Sequence, residues 1–236
     1  MNKREMIWKA FQAAFPHTIP IFAGFVFLGI AYGMYMQSLG FNAIYPILMS
    51  LLIFAGSMEF LAANLLLMSF NPLNALVLTL TVNARHLFYG ISMLEKYKGT
   101  GRKKAYLIFG MCDESFSINY SANIPKDVDK GWFMTFVTLL NHSYWVLGST
   151  LGGLFGSLIH FNTEGLEFVM TALFVVIFIE QWLKEKKHLV ATIGLTASII
   201  SLVIFGGSGF ILPAMIAILA GVTIMRKVSE QKEVTA

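Results

Sequence analysis

Four stretches of this chain, residues 10–58, 60–84, 131–163 and 189–225, contain no Asp, Glu, Lys or Arg. A helix needs roughly 20 predominantly apolar residues to cross a hydrocarbon core ~30 Å thick, so each run is long enough for one or two crossings. A soluble core of such length would show solvated faces recurring at helical or strand period, and none recurs here. Composition agrees. Of 236 residues 56% are hydrophobic and 13% charged, against ~25% charged in soluble domains. Backbone in lipid must satisfy its own hydrogen bonds, and an open sheet cannot. The expected fold is therefore an all-α, polytopic transmembrane helical bundle.

About seven to eight hydrophobic segments can be drawn, at 16–37, 43–69, 72–94, 105–122, 131–159, 165–183, 189–205 and 210–225. Gly, Asn and Pro punctuate the gaps between them. No soluble domain or linker is visible, so 1–236 reads as one integral membrane domain. The net charge of +4 and pI near 9.1 do not point to nucleic acid, because the basic residues cluster between apolar runs at 3–9, 96–104, 184–187 and 226–232. Such clusters mark the cytoplasmic side of a multi-pass protein. Trp8, Phe11 and Phe15 are expected to lie along the headgroups as a short interfacial turn.

Eight full crossings would put the most basic loop, 96–104, on the opposite side from the other three clusters. The contradiction disappears if one of the first three segments, and also the fourth, is broken or re-entrant. Segment 43–69 is too long for one plain span and carries Gly56-Ser57 and Glu59 at its centre. Segment 105–122 carries Asp113-Glu114-Ser115 at its middle. Non-helical backbone at membrane depth is tolerated only where it is buried in protein or lines a cavity, and transporters often place binding sites there.

Glu59, Arg85, Asp113 and Glu114 all lie inside apolar runs. At about 2.5–3.5 kcal/mol each on insertion scales, the four cost on the order of 10 kcal/mol before any pairing. Arg85 is thus expected to face at least one of the carboxylates; the bland alternative is that the charges only lock helices together. Asn83 and His86 share one helix face, with Arg85 turned away from them. His86 either bonds helix to helix or titrates in function, and His142, midway along the fifth segment, is a weaker candidate of the same kind. Together Glu59, Asn83, Arg85, His86, Asp113, Glu114 and His142 form the candidate substrate and proton pathway. Gly29 and Gly33, and Gly148, Gly152 and Gly156, repeat at four-residue spacing, the pattern of close helix packing or of a ridge for a second subunit. The single cysteine, Cys112, leaves no internal disulfide or cysteine zinc site. No hydrolase, P-loop or metalloprotease motif occurs, so neither a metal, a cofactor nor an enzyme is expected. The residues alone leave open a channel or a transporter for another small organic solute and, as Ser, His and Asp all occur within spans, an intramembrane enzyme.

Four stretches in order, Pro20-Ile-Phe-Ala-Gly24, Phe54-Ala-Gly-Ser-Met-Glu-Phe60, Asn83-Ala-Arg-His-Leu-Phe-Tyr-Gly90 and Asp113-Glu-Ser-Phe116, resemble the AzlC family. That family supplies the large subunit of bacterial branched-chain amino-acid exporters. The resemblance implies a two-component exporter in the bacterial cytoplasmic membrane, built with a small AzlD-type membrane subunit. The implied substrates are leucine, isoleucine, valine and also methionine, driven out by the proton-motive force.

Overall fold

The computed structural model describes residues 2–69, 71–156, 175, 178–179, 182–183, 188–206 and 210–234, except for the side chains at 74, 81, 84, 211, 212, 215 and 226–234. All regular structure among them is helical, as an all-α membrane bundle requires. The chain forms two compact units, Met1–Met170 and Thr171–Ala236. The segment expected at 165–183 lies largely outside the described residues.

The first unit is built on two long helices. Helix α1, Lys3–Ser38, starts where the Asn2 backbone N–H donates to Glu5 Oε2 at 3.0 Å. At 1.5 Å per residue it is about 54 Å long, well beyond the ~30 Å core. It begins earlier than the expected 16–37 because Pro16 and Pro20 are accommodated inside the helix. Aromatic edges from the neighbouring helix support this turn, with Phe11 against Phe136 and His17 against Phe133. Trp8, Phe11 and Phe15 are therefore part of a continuous helix rather than a separate interfacial turn.

Helix α7, Lys130–Phe155, is started by the Asp129 carboxylate, which accepts from the Trp132 N–H. It packs along α1 in parallel: Gly29 lies on Gly148, and one turn further Gly33 lies on Gly152 and Gly153. Small residues at four-residue spacing on both helices let the backbones touch. A Cβ on Gly29 would stand 2.8 Å from the Ser149 nitrogen, and one on Gly156 would stand 2.7 Å from Gln37 Oε1. The glycine ridge is thus filled by α1 of the same chain, and the reading of it as a seat for a second subunit is corrected.

Between these two helices the chain makes one uninterrupted helix and two broken ones. Segment 43–69 splits into α2 (Ile44–Leu52) and α3 (Gly56–Leu67), separated at Ile53–Ala55, where Phe54 has φ +48°. The two halves double back, since Tyr45 and Met49 of α2 line one groove with Leu65, Leu66 and Met68 beside the end of α3. Helix α4, Pro72–Met93, then runs uninterrupted. Segment 105–122 splits into α5 (Lys103–Phe109) and α6 (Asp113–Ser121), and these also return to the end they left. Lys96, before α5, reaches the Tyr120 carbonyl and ring at the end of α6. Lys103 sits over Trp132 in the first turn of α7.

The basic loop 96–104 therefore lies at the same end as the N-terminus, where Lys9 pairs with Asp127 at 3.3 Å. Two hairpins, one from each end, thus bring the basic clusters 3–9 and 96–104 to one end of the first unit, as the positive-inside rule asks of these two. Among the described residues α1 alone has both the length and the apolarity of a plain span; shorter apolar helices include Gly56–Leu67 and Leu189–Phe205.

In the second unit α8 (Leu189–Phe205) ends at Gly206, whose φ is +71°, and α9 (Ile211–Val234) follows. The two run antiparallel, with Gly221 against Ile193. The first of them has the bounds expected from the sequence.

Candidate functional site

Both hairpin tips rest on the middle of α7. A methyl at Gly110, at the α5–α6 tip, would strike the Thr138 side chain. His142 lies against Phe54 at the α2–α3 tip with ring centroids 4.4 Å apart and the planes tilted by 33°. Helices α3 and α6 both begin at these tips, so their N-termini, each with unpaired backbone N–H groups and the positive end of the helix dipole, converge at one depth. Such a locus attracts negative charge.

Arg85, from the middle of α4, bridges the two N-termini. Its Nη1 donates to Asp113 Oδ2 at 2.5 Å, and its Nη2 lies 3.4 Å from Ser57 Oγ. Asp113 is the first residue of α6 and Ser57 the second of α3, so one guanidinium ties together three elements. The pair is half-buried, with the Arg85 and Asp113 side chains 34% and 25% exposed. This is the ion pair that the cost of buried charge demands, and Asp113 is its acid. The phenol of Tyr89 also lies beside Asp113.

Glu59 is not the partner of Arg85. It is 0% exposed and closed off by neutral donors: Trp145 Nε1 lies 3.1 Å from each carboxylate oxygen, and the Ala55 N–H donates at 2.9 Å. Reaching back to the residue before its own helix, Glu59 caps α3 and sits where the dipole favours negative charge. In this conformation its carboxylate is closed to a substrate ammonium.

The remaining candidates divide. Glu114 sits beside Asp113 at the start of α6. Asn83 and His86 face away from the pair, as their helical spacing implies. They line a groove of about 540 Å³ with Thr79, Gly90, Lys104 and Met111, and His86 Nδ1 lies 3.3 Å from the Asn83 carbonyl. His142 belongs to neither group. Its Nδ1 meets the Tyr106 hydroxyl and its Nε2 the Ser50 carbonyl, both at 3.1 Å, so it ties the last turn of α2 to α5. Here the helix-bonding reading of this histidine is the one the geometry displays.

Two partners escaped the sequence reading, Ser57 as a ligand of Arg85 and Trp145 on Glu59, while Asn141, next to His142 in mid-span, donates through Nδ2 to Ser115 Oγ at 3.1 Å. Asn141 and Trp145 are one turn apart on α7, a polar pair in mid-span. That spacing is the one local signal that marked them. Among the described residues no group of three or more His, Cys, Asp or Glu is arranged to hold a metal.

Two re-entrant hairpins meeting at a charged centre inside a helical bundle define a helical membrane protein with an internal polar site. The pattern of the AzlC protein family matches residues 20–159, a span holding every candidate residue named above. The branched-chain amino acid transport protein AzlC of Bacillus subtilis is 72% identical over all of this chain and 92% of its own length. An uncharacterized membrane protein of Haemophilus influenzae is 54% identical, covering 90% of this chain and 87% of its own. The inner membrane protein YgaZ of Escherichia coli is 24% identical, covering 87% and 83%. No solved structure matches the chain. The chain belongs to the AzlC family, as the four motifs suggested.

Proposed function

We propose that this chain is the large, multi-pass subunit of a branched-chain amino-acid exporter in the bacterial cytoplasmic membrane, working with a small AzlD-type subunit and the proton-motive force. The Bacillus subtilis relative, 72% identical and named for branched-chain amino acid transport, carries the substrate class. The geometry of Arg85 supports it. An α-amino acid is a zwitterion, and Arg85 and Asp113 are a matched pair of opposite charges. The substrate carboxylate takes the guanidinium fork, helped by the N–H groups opening α3 and α6, while its ammonium takes the Asp113 carboxylate. The exchange leaves the net charge of the site unchanged, so the substrate replaces one ion pair by two. Proton coupling falls to Asp113, with Glu114 beside it and His86 on another face of α4. The basic ends of α1 and the 96–104 loop then face the cytoplasm, and 1–236 acts as one transporter domain.

The test uses a deletion strain fed a valine-containing dipeptide and carrying this chain together with its small partner. Valine efflux is restored and collapses on adding a protonophore. Asp113→Asn keeps the hydrogen-bonding shape, loses the charge, and lowers efflux by roughly 100-fold, the scale of a charged contact worth ~3 kcal/mol. Normal efflux from cells producing Asp113→Asn would remove this site from the account, and a protonophore-insensitive flux would favour a passive channel.

A further inference from the structure

One face of α6 carries polar side chains that neither the ion pair nor the helix packing uses. Ser115 is 0% and Asn119 2% exposed, and Asn141 on the facing α7 is 0% exposed. At the hairpin tip Cys112 Sγ and Asn141 Nδ2 both reach Ser115 Oγ, at 3.2 and 3.1 Å. One turn further along, Asn119 has both amide atoms buried with no hydrogen-bond partner among the described residues, and the same holds for Asn141 Oδ1 and the hydroxyl of Tyr97. The Tyr97 hydroxyl stands beside the Asn119 amide. Around these groups lie Phe133, Met134 and Val137, an apolar wall that offers them nothing.

Buried amides without partners are costly in a low-dielectric interior. Buried polar groups of this kind are satisfied by ordered water, each molecule with two to four partners. The rise from Ser115 to Asn119 is about 6 Å, the length that one or two waters bridge. Cys112, at the α5–α6 tip, stands at the head of the row, and Tyr97, in the basic loop, stands at its foot. We infer that Ser115, Asn141, Asn119 and Tyr97 hold a file of water linking the α5–α6 tip at Cys112 to the aqueous phase at the basic end of the first unit. Its use in proton movement rests on the transporter reading above; the file itself does not, and it can be tested without transport.

Cys112 is the single cysteine of the chain and lies at the head of the row. Silver ion, small enough to follow water, forms Cys–S–Ag and releases the thiol proton to solvent. Membrane vesicles of both orientations are exposed to silver nitrate, then denatured, and the remaining free thiol is alkylated and counted. Protease cutting within 96–104 reports which face is outside. Silver protects Cys112 from the face bearing the basic loop and not from the other. Asn119→Leu, which expels the water, slows protection at least about tenfold, the scale of losing an ordered water, whereas Asn119→Ser keeps the wild-type rate. A misfolded Asn119→Leu would expose Cys112 equally from both faces, and the sidedness in the unmodified chain then decides. Cys112 silent to silver from the basic face, or equally fast from both faces, would overturn the file even if valine export were confirmed.

Discussion

Arg85→Lys is expected to abolish valine efflux nearly as fully as Arg85→Ala, although the positive charge is retained. The role of Arg85 lies in its fork. One terminal nitrogen serves Asp113 on α6 while the other reaches Ser57 on α3, and a lysine ammonium is a compact point charge without that planar geometry. In the lysine variant one of the two N-termini loses its tie, and a substrate carboxylate finds no bidentate partner. In the alanine variant the Asp113 carboxylate is left without its base. Breaking a fully buried pair costs about 3–5 kcal/mol. With the two side chains 34% and 25% exposed, a discounted ~2 kcal/mol is the better figure for stability. Both variants should therefore remain in the membrane at near-normal levels while efflux falls by roughly 100-fold or more, the scale of a lost charged contact. Immunoblots of the membrane fraction beside the efflux assay check both halves. Wild-type efflux from Arg85→Lys would show that charge alone suffices and that the fork is irrelevant.

Gly152→Val is expected to fail at folding instead. A Cβ at Gly152 would press into the backbone of Ile30, and one at Gly33 would meet the backbones of Ser149, Gly152 and Gly153. These obstacles are main chain, which no rotamer change removes, so α1 and α7 would have to separate along the seam that holds the first unit together. Overpacking typically costs 1–3 kcal/mol and more where relaxation is blocked. At about 2–4 °C per kcal/mol for a chain of this size, the melting temperature in detergent should fall by roughly 10 °C, or the variant should not accumulate. Gly24→Ala is the internal control. Nothing lies within 4 Å of a Cβ there, and the extra helix propensity of alanine should leave stability equal or slightly raised. If Gly152→Val melts like wild type, the close parallel packing of α1 and α7 is wrong.

The contrast between these two variants follows how far local sequence reaches. The charge-free runs located the helices, down to the bounds of Leu189–Phe205, because hydropathy acts locally. The breaks at Ile53–Ala55 and Gly110–Cys112 were also legible, since Glu59 and Asp113 sit where no plain span tolerates them and the basic loop had to reach the N-terminal end. Helix α1 was drawn too short because Pro16 and Pro20 normally open a helix, and the α7 surface that supports them lies far along the chain. The same distance hid the partner of Glu59. Trp145 follows it by 86 positions, and only the tertiary fold shows that a neutral indole, not Arg85, holds this carboxylate. The glycine ridge announced close packing, while the parallel register of Gly29 on Gly148 depends on the two hairpins returning to their own sides.

The central claim is that the Arg85–Asp113 centre carries branched-chain amino acids outward using protons. It is tested most directly in proteoliposomes holding the purified chain with its small partner, loaded with radiolabelled L-valine under an imposed pH gradient. The account predicts valine efflux that needs the gradient, is competed by leucine and isoleucine inside, and is absent from Arg85→Ala. Gradient-independent efflux, or wild-type flux through Arg85→Ala, would contradict it.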